Sequence, residues 1–159
     1  MRETIVDRAY AKTLLPPRKE DGHKGDFGKL LVLGGSVSYT GAPYLAASAA
    51  VHSGCGLVYL GVPESIWAVE AQKCVSAMPF PLPETDGRLC LAALDKMQDK
   101  LKGCDVLALG PGLGRGKETE QLVHALLWQV KEPLVLDADG LNALQAVSYT
   151  HLTLPTIER

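Results

Sequence analysis

The sequence predicts an α/β protein whose mostly parallel sheet is covered by helices on both faces. Three observations predict it. Short apolar runs alternate with helix-patterned segments four times along the 159 residues. The runs are continuously apolar instead of alternating, as expected of strands buried on both sides. The 16 glycines, about one residue in ten against a usual ~7%, gather where those runs end, as tight strand-to-helix turns require.

Residues 1–28 are polar, carry Pro16, Pro17, Gly22, Gly25 and Gly28, and read as an arm with a helix near 6–14 followed by a loop. The run 29–33 (KLLVL) is a strand that ends in Gly34, Gly35 and Ser36. Thr40, Gly41, Ala42 and Pro43 open an Ala-rich helix through Ser53. Pro43 suits its first turn, where no N–H partner is needed, and Gly54 and Gly56 suit its stop. Residues 57–62 (LVYLGV) form a second strand ended by Pro63, and 64–74 follow as a helix. Three prolines in 78–83 predict extended, irregular chain, and Asp86-Gly87 marks a turn. Leu91, Leu94, Met97 and Leu101 recur at helical spacing. Residues 105–109 form a third strand that runs into Gly110-Pro111-Gly112-Leu113-Gly114. The strongest amphipathic helix spans 117–130, with Leu122, Val123, Leu126, Leu127 and Val130 on one face. A fourth strand, 133–136, runs into Asp137-Ala138-Asp139-Gly140, and 140–147 begin another helix. The segment 147–159 breaks this pattern with β-branched residues and Pro155.

Composition narrows the function classes. The chain is 47% apolar and 21% charged, with 16 basic and 18 acidic side chains and a formal net charge of −2. These values exclude a disordered chain and leave no basic excess to attract nucleic acid or a membrane surface. No run of 18 apolar residues is present, and the charged N-terminus lacks the apolar stretch of a secretory signal, so the expected location is cytoplasmic. Cys55, Cys74, Cys90 and Cys104 contain no CxxC pair and read as small buried residues of a reducing compartment, with no metal site. One domain of this size buries its own core.

Three loops follow strand ends: Gly34 to Ser36, Gly110 to Gly114, and Asp137 to Asn142. In open parallel sheets, ligands bind in the crevice outside those ends. The GPGLG loop is either a phosphate or nucleotide contact or a tight turn; it is neither a Walker A sequence nor a GxGxxG fingerprint. Asp137 and Asp139 point to one side if the strand persists. There they can hold Mg²⁺ through water or accept a hydroxyl proton, or one of them can cap the next helix, with Asn142 in its first turn. The small residues around Gly34 and Ala42 leave room for a ligand or for packing. His23 and Lys24 can meet phosphate or form a solvated loop, and His52 and His124 read as structural. No Ser/His/Asp or Cys/His spacing argues for a hydrolase.

The segments HKGDFGK (23–29), LVLGGS (31–36), YTGAP (39–43), SGCGLV (53–58), GPGLG (110–114) and DADGLNAL (137–144) occur in that order. With them the chain resembles the ATP- or ADP-dependent NAD(P)H-hydrate dehydratases of the ribokinase-like superfamily, over roughly residues 12–146. The resemblance implies a three-layer α/β/α sandwich with a mostly parallel sheet. It also implies a metabolite-repair lyase that phosphorylates the hydroxyl of the hydrated nicotinamide ring, releases phosphate and regenerates NADH or NADPH. ATP or ADP with Mg²⁺ is the implied donor, and the hydrated forms NADHX and NADPHX are the implied substrates. On the matching motifs, Ala42 and Gly112 contact the hydrated dinucleotide, and Gly110, Gly114, Asp137, Asp139 and Asn142 surround it.

Family members carry further motifs: a TPH segment, a lysine-containing nucleotide loop, and a GTGD sequence whose Asp is the base. None of these is present in the 159 residues. The expectation is therefore a truncated ribokinase-like unit, 1–146, inactive by itself and inclined to self-associate, with 147–159 a foreign tail. The alternatives are another ribokinase-like small-molecule kinase, or a noncatalytic nucleotide-binding module.

Overall fold

The computed structural model describes residues 5–15, 18 and 20–146; the segment 147–159 assigned above to a foreign tail lies outside the described residues. Among the described residues seven strands occur: β1 (Lys29–Leu33), β2 (Leu57–Pro63), β3 (Met78–Leu82), β4 (Glu84–Thr85), β5 (Arg88–Leu89), β6 (Val106–Leu109) and β7 (Leu134–Leu136). The α-helices are α1 (Arg8–Leu14), α2 (Gly41–His52), α3 (Glu64–Lys73), α4 (Ala93–Lys102), α5 (Lys117–Gln129) and the single turn α6 (Asp139–Asn142).

The main sheet has five strands in the order β3-β2-β1-β6-β7, and all four pairings are parallel. The chain walks outward from β1 to β3 on one flank, then returns to build β6 and β7 on the other. The order therefore reverses between β1 and β6, which stay paired through Leu33 and Leu109 at their C-terminal ends.

Side chains alternate across the strands and sort the core into two layers. Leu31, Leu33, Leu107 and Leu109 face Met97 of α4 and Leu122 and Leu126 of α5. Val32, Val58, Leu60 and Val62 face Ala47 of α2 and Ile66 of α3. The expected apolar face of α5 is buried at Leu122, Val123 and Leu126, with Leu127 and Val130 partly buried against it. Leu91 departs from its reading. It precedes α4 and is exposed, while Leu94, Met97 and Leu101 are buried.

Residues 78–82 also depart from expectation. They form an ordered strand at the sheet edge, paired in register with β2 from Tyr59↔Met78 to Pro63↔Leu82. Proline survives there because Pro79 and Pro81, two apart, present their missing N–H groups to the same side. The Pro79 carbonyl, which shares that side, accepts from Trp67 Nε1 at 3.2 Å, so the side faces away from β2.

The Asp86-Gly87 turn closes a small antiparallel hairpin, β4–β5. Asp86 (φ 50°) and Gly87 (φ 71°) are both left-handed, the backbone that a two-residue hairpin turn demands. The hairpin is tied at both ends. Ser36 bridges Arg88, and Val37 N donates to the Gly87 carbonyl at 3.0 Å. On the other side, Thr85 Oγ1 donates to Glu118 at 2.8 Å and Thr119 Oγ1 to the Leu89 carbonyl at 2.8 Å.

Of the four free thiols, Cys90 and Cys104 are buried and Cys55 and Cys74 only half-buried. Burial pushes the Cys104 thiol above its usual range, with the neighbouring Asp105 carboxylate adding to the effect. The thiolate is the reactive form, so Cys104 is expected to be alkylated by iodoacetamide at pH 8 more slowly than a denatured control, checked by mass spectrometry of the modified peptide. Because the folded state disfavours ionisation, this group's contribution to stability declines as the pH rises past 9.

Candidate functional site

The loops that leave β1 and β6 are laced together at the reversal point. Gly110 N donates to the Leu33 carbonyl at 3.1 Å, Gly35 N to the Pro111 carbonyl at 2.9 Å, and Ser36 Oγ to the Gly112 carbonyl at 2.9 Å. Two of the GPGLG glycines are required by their surroundings. Gly112 sits at φ 70°, where a Cβ would lie 2.9 Å from the Tyr39 carbonyl oxygen and 3.1 Å from Ala42 Cβ. Gly110 sits at φ 133°, and a Cβ there would collide with the Asp137 carbonyl. Leu113, the residue after Gly112, plugs into the core.

β7 ends at Leu136, and Ala138 (φ 46°, ψ −116°) turns the chain before α6. The strand does not persist, so the two carboxylates part company instead of sharing a side. Asp137 is exposed, and its carboxylate makes no hydrogen bond among the described residues. Asp139 is half-buried and turns toward the glycine loop. Its Oδ2 accepts from Gly114 N at 2.9 Å and its Oδ1 from Asn142 Nδ2 at 3.1 Å. No side-chain hydrogen bond caps α6.

The seven residues expected to contact or surround the dinucleotide thus lie in one neighbourhood. Ala42 packs on Gly112, two residues from Gly110, which rests on Asp137; Gly114 is tied through Asp139 to Asn142. Two adjoining clefts open beside them and share Gly114, Arg115 and Asp139. One, of about 250 Å³, reaches Thr119 and Asn142. The other, of about 310 Å³, reaches Ser36, Tyr39 and Arg88.

Other candidates fall elsewhere. His23 and Lys24 stand by the strand N-termini, at the end of the sheet opposite the crevice. There His23 closes a 3₁₀ turn with Asp26, and the Phe27 carbonyl is bonded by Gly56 N. His52 Nδ1 bonds the Ser48 carbonyl within α2, and His124 Nε2 bonds the Ala143 carbonyl. Ser38, Arg88 and Arg115 line the second cleft and were not singled out from sequence. The Asp-Gly pair was a hairpin signal that would have led to Arg88.

A sheet of this order, helix-covered on both faces and carrying a glycine loop and an acidic turn at its reversal point, has the ribokinase-like α/β/α fold, in which ligands generally bind at the reversal point. The family described as NAD(P)H-hydrate dehydratase matches residues 30–157. The chain is 45% identical over 141 residues to the bifunctional NAD(P)H-hydrate repair enzyme Nnr of Moorella thermoacetica, covering 88% of this chain and 27% of that protein. Among solved structures it aligns with the hypothetical protein SMU.573 of Streptococcus mutans, with a TM-score of 0.75, 28% identity, and 91% and 50% of the two chains covered. It also aligns with the ADP/ATP-dependent NAD(P)H-hydrate dehydratase of Bacillus subtilis, co-crystallised with ATP/Mg²⁺, with a TM-score of 0.63, 27% identity, and 84% and 45% covered. The chain belongs to the NAD(P)H-hydrate dehydratase family. It spans roughly a quarter to a half of the length of these relatives.

The acidic groups bear on a metal. Among the described residues, no group of three or more His, Cys, Asp or Glu side chains is placed to hold one. Both Asp139 oxygens are engaged by the protein, which leaves the Asp137 carboxylate and, in the smaller cleft, that of Glu120. One or two carboxylates fit Mg²⁺ that retains its waters and arrives on nucleotide phosphates; they do not fit a dedicated protein cage. No described helix is long and apolar enough to cross a membrane.

Proposed function

We propose that this chain forms the substrate-binding part of a cytoplasmic, ATP- or ADP-dependent dehydratase that repairs hydrated NADH and NADPH. The observation that carries this reading is the convergence of Ala42, Gly112 and Gly110 with the Asp139–Gly114–Asn142 network at the reversal between β1 and β6. Backbone without side chains allows the hydrated nicotinamide ring to approach closely. Asp139, anchored through both oxygens, stiffens the wall of that approach instead of reacting. The Asp137 carboxylate, exposed and without a hydrogen bond among the described residues, is available to the ring hydroxyl or to the hydration shell of Mg²⁺, as is that of Glu120 in the smaller cleft.

The nucleotide supplies the phosphoryl group that turns the ring hydroxyl into a leaving group, a reaction governed by positioning and electrostatics. No GTGD sequence lies within the 159 residues, so this chain alone is expected to bind without turnover. Calorimetric titration of the chain with NADPH and its hydrate tests both halves. Saturable binding is expected, with no phosphate released on adding ATP and Mg²⁺. A folded chain that binds neither dinucleotide refutes the reading, and phosphate release refutes the expectation of inactivity. Release with a small alcohol but not with the hydrate would point to a different kinase.

A further inference from the structure

We infer that Arg88 and Arg115 hold the pyrophosphate bridge of the dinucleotide, an inference that rests on the dinucleotide reading above. The crevice poses an electrostatic problem for such a ligand. The clefts are lined by the carboxylates of Asp139 and Glu120, while the bridge of NADH or NADPH carries two negative charges of its own. The cationic side chains lining the two clefts are Arg88 and Arg115, and both border the larger one, beside Ser38 and Gly114.

Arg88 is half-buried, yet its guanidinium makes no hydrogen bond or ion pair among the described residues. It is nevertheless held in place. Cβ atoms built on Gly114 and Gly116 would lie 3.0 Å from Arg88 Cδ and 3.2 Å from its Nε, so the stem lies flat along the glycine loop. The hairpin that bears it is fixed to the β1 loop through Ser36 and Val37 and to α5 through Glu118 and Thr119. A guanidinium that is positioned while its donors stay unspent is preorganised for a bidentate anion, and phosphate oxygens match its fork. Arg115, exposed on the same loop, lines both clefts.

The test is equilibrium binding by the full chain to NADH, NADPH and ATP, with melting temperature as the check on folding. Arg88→Gln is expected to weaken NADH and NADPH alike by about tenfold, the loss of one good charged contact, and to leave ATP unaffected. Arg88→Lys, which keeps the charge but not the fork, is expected to fall between. Loss confined to NADPH would assign the arginine to the 2′-phosphate, and loss confined to ATP to the donor. Either result overturns the inference, as does unchanged affinity in Arg88→Gln with an unchanged melting temperature. Wild-type chain that binds no dinucleotide overturns the underlying reading as well, whereas binding that survives Arg88→Gln overturns the arginine assignment alone.

Discussion

Gly110→Ala is expected to cost at least about 3 kcal/mol of stability and to abolish measurable dinucleotide binding, because it adds backbone strain to a steric clash that no side chain can relieve. The position combines φ 133° with a neighbour that is backbone, the Asp137 carbonyl, so no rotamer change makes room. To fit a methyl group, the start of the Asp137–Asn142 turn must retreat from the β6 loop. That movement would strain the Asp137 N bond to the Leu109 carbonyl (3.0 Å) and the Asp139 bond to Gly114 N (2.9 Å). Urea unfolding and calorimetry on the same samples check it. Wild-type affinity in the alanine variant would show that the crevice does not depend on this close approach.

Lys73→Met is the second large effect. Glu70 is completely buried in α3; Lys73 Nζ pairs with its Oε1 at 2.9 Å, and its Oε2 has no partner. The same ammonium donates to the Thr40 carbonyl at 3.1 Å and to Thr40 Oγ1 at 3.0 Å, so it pins the residue that leads into α2 and hence Ala42. Removing it strands a buried carboxylate, a change that costs about 3–5 kcal/mol in general. The low end applies here, since the Lys73 side chain is 32% exposed and partly screened by solvent. The double variant Glu70→Leu/Lys73→Met removes both charges and is expected to recover most of the loss, because a well-packed apolar pair replaces a buried ion pair at little net cost. If the double variant unfolds as readily as the single one in urea, the Thr40 contacts, not the charge pairing, carry the stabilisation.

Much of the architecture was legible because it rests on local rules. The runs at 29–33 and 57–62, the helix stop at Gly54 and the apolar face of α5 all follow from residue type and spacing. What escaped depends on partners distant in sequence. A proline-rich segment reads as irregular until an edge position relieves its missing donors, as it does for Pro79 and Pro81. The hairpin strands at 84–85 and 88–89 are too short to show periodicity, and only the turn between them was visible. In the site, the glycine loop and acidic turn were legible as strand-end loops. The division of labour between Asp137 and Asp139 was not, because the left-handed Ala138 that separates them has no sequence signature. The Glu70–Lys73–Thr40 cluster looks like an ordinary surface helix pair until α3 is folded against its neighbours.

The prolines of β3 make the sheet directional. A strand docking outside β3 would meet two positions with nothing to donate and a Pro79 carbonyl already claimed by an indole, so that flank is chemically sealed. β7, at the opposite end of the order, has no strand on its outer side among the described residues. Any later recruit to the sheet, whether a strand of a longer version of this chain or a neighbouring molecule in a crowded solution, has a single address. A strand added there would lie on the side that also carries Asp137.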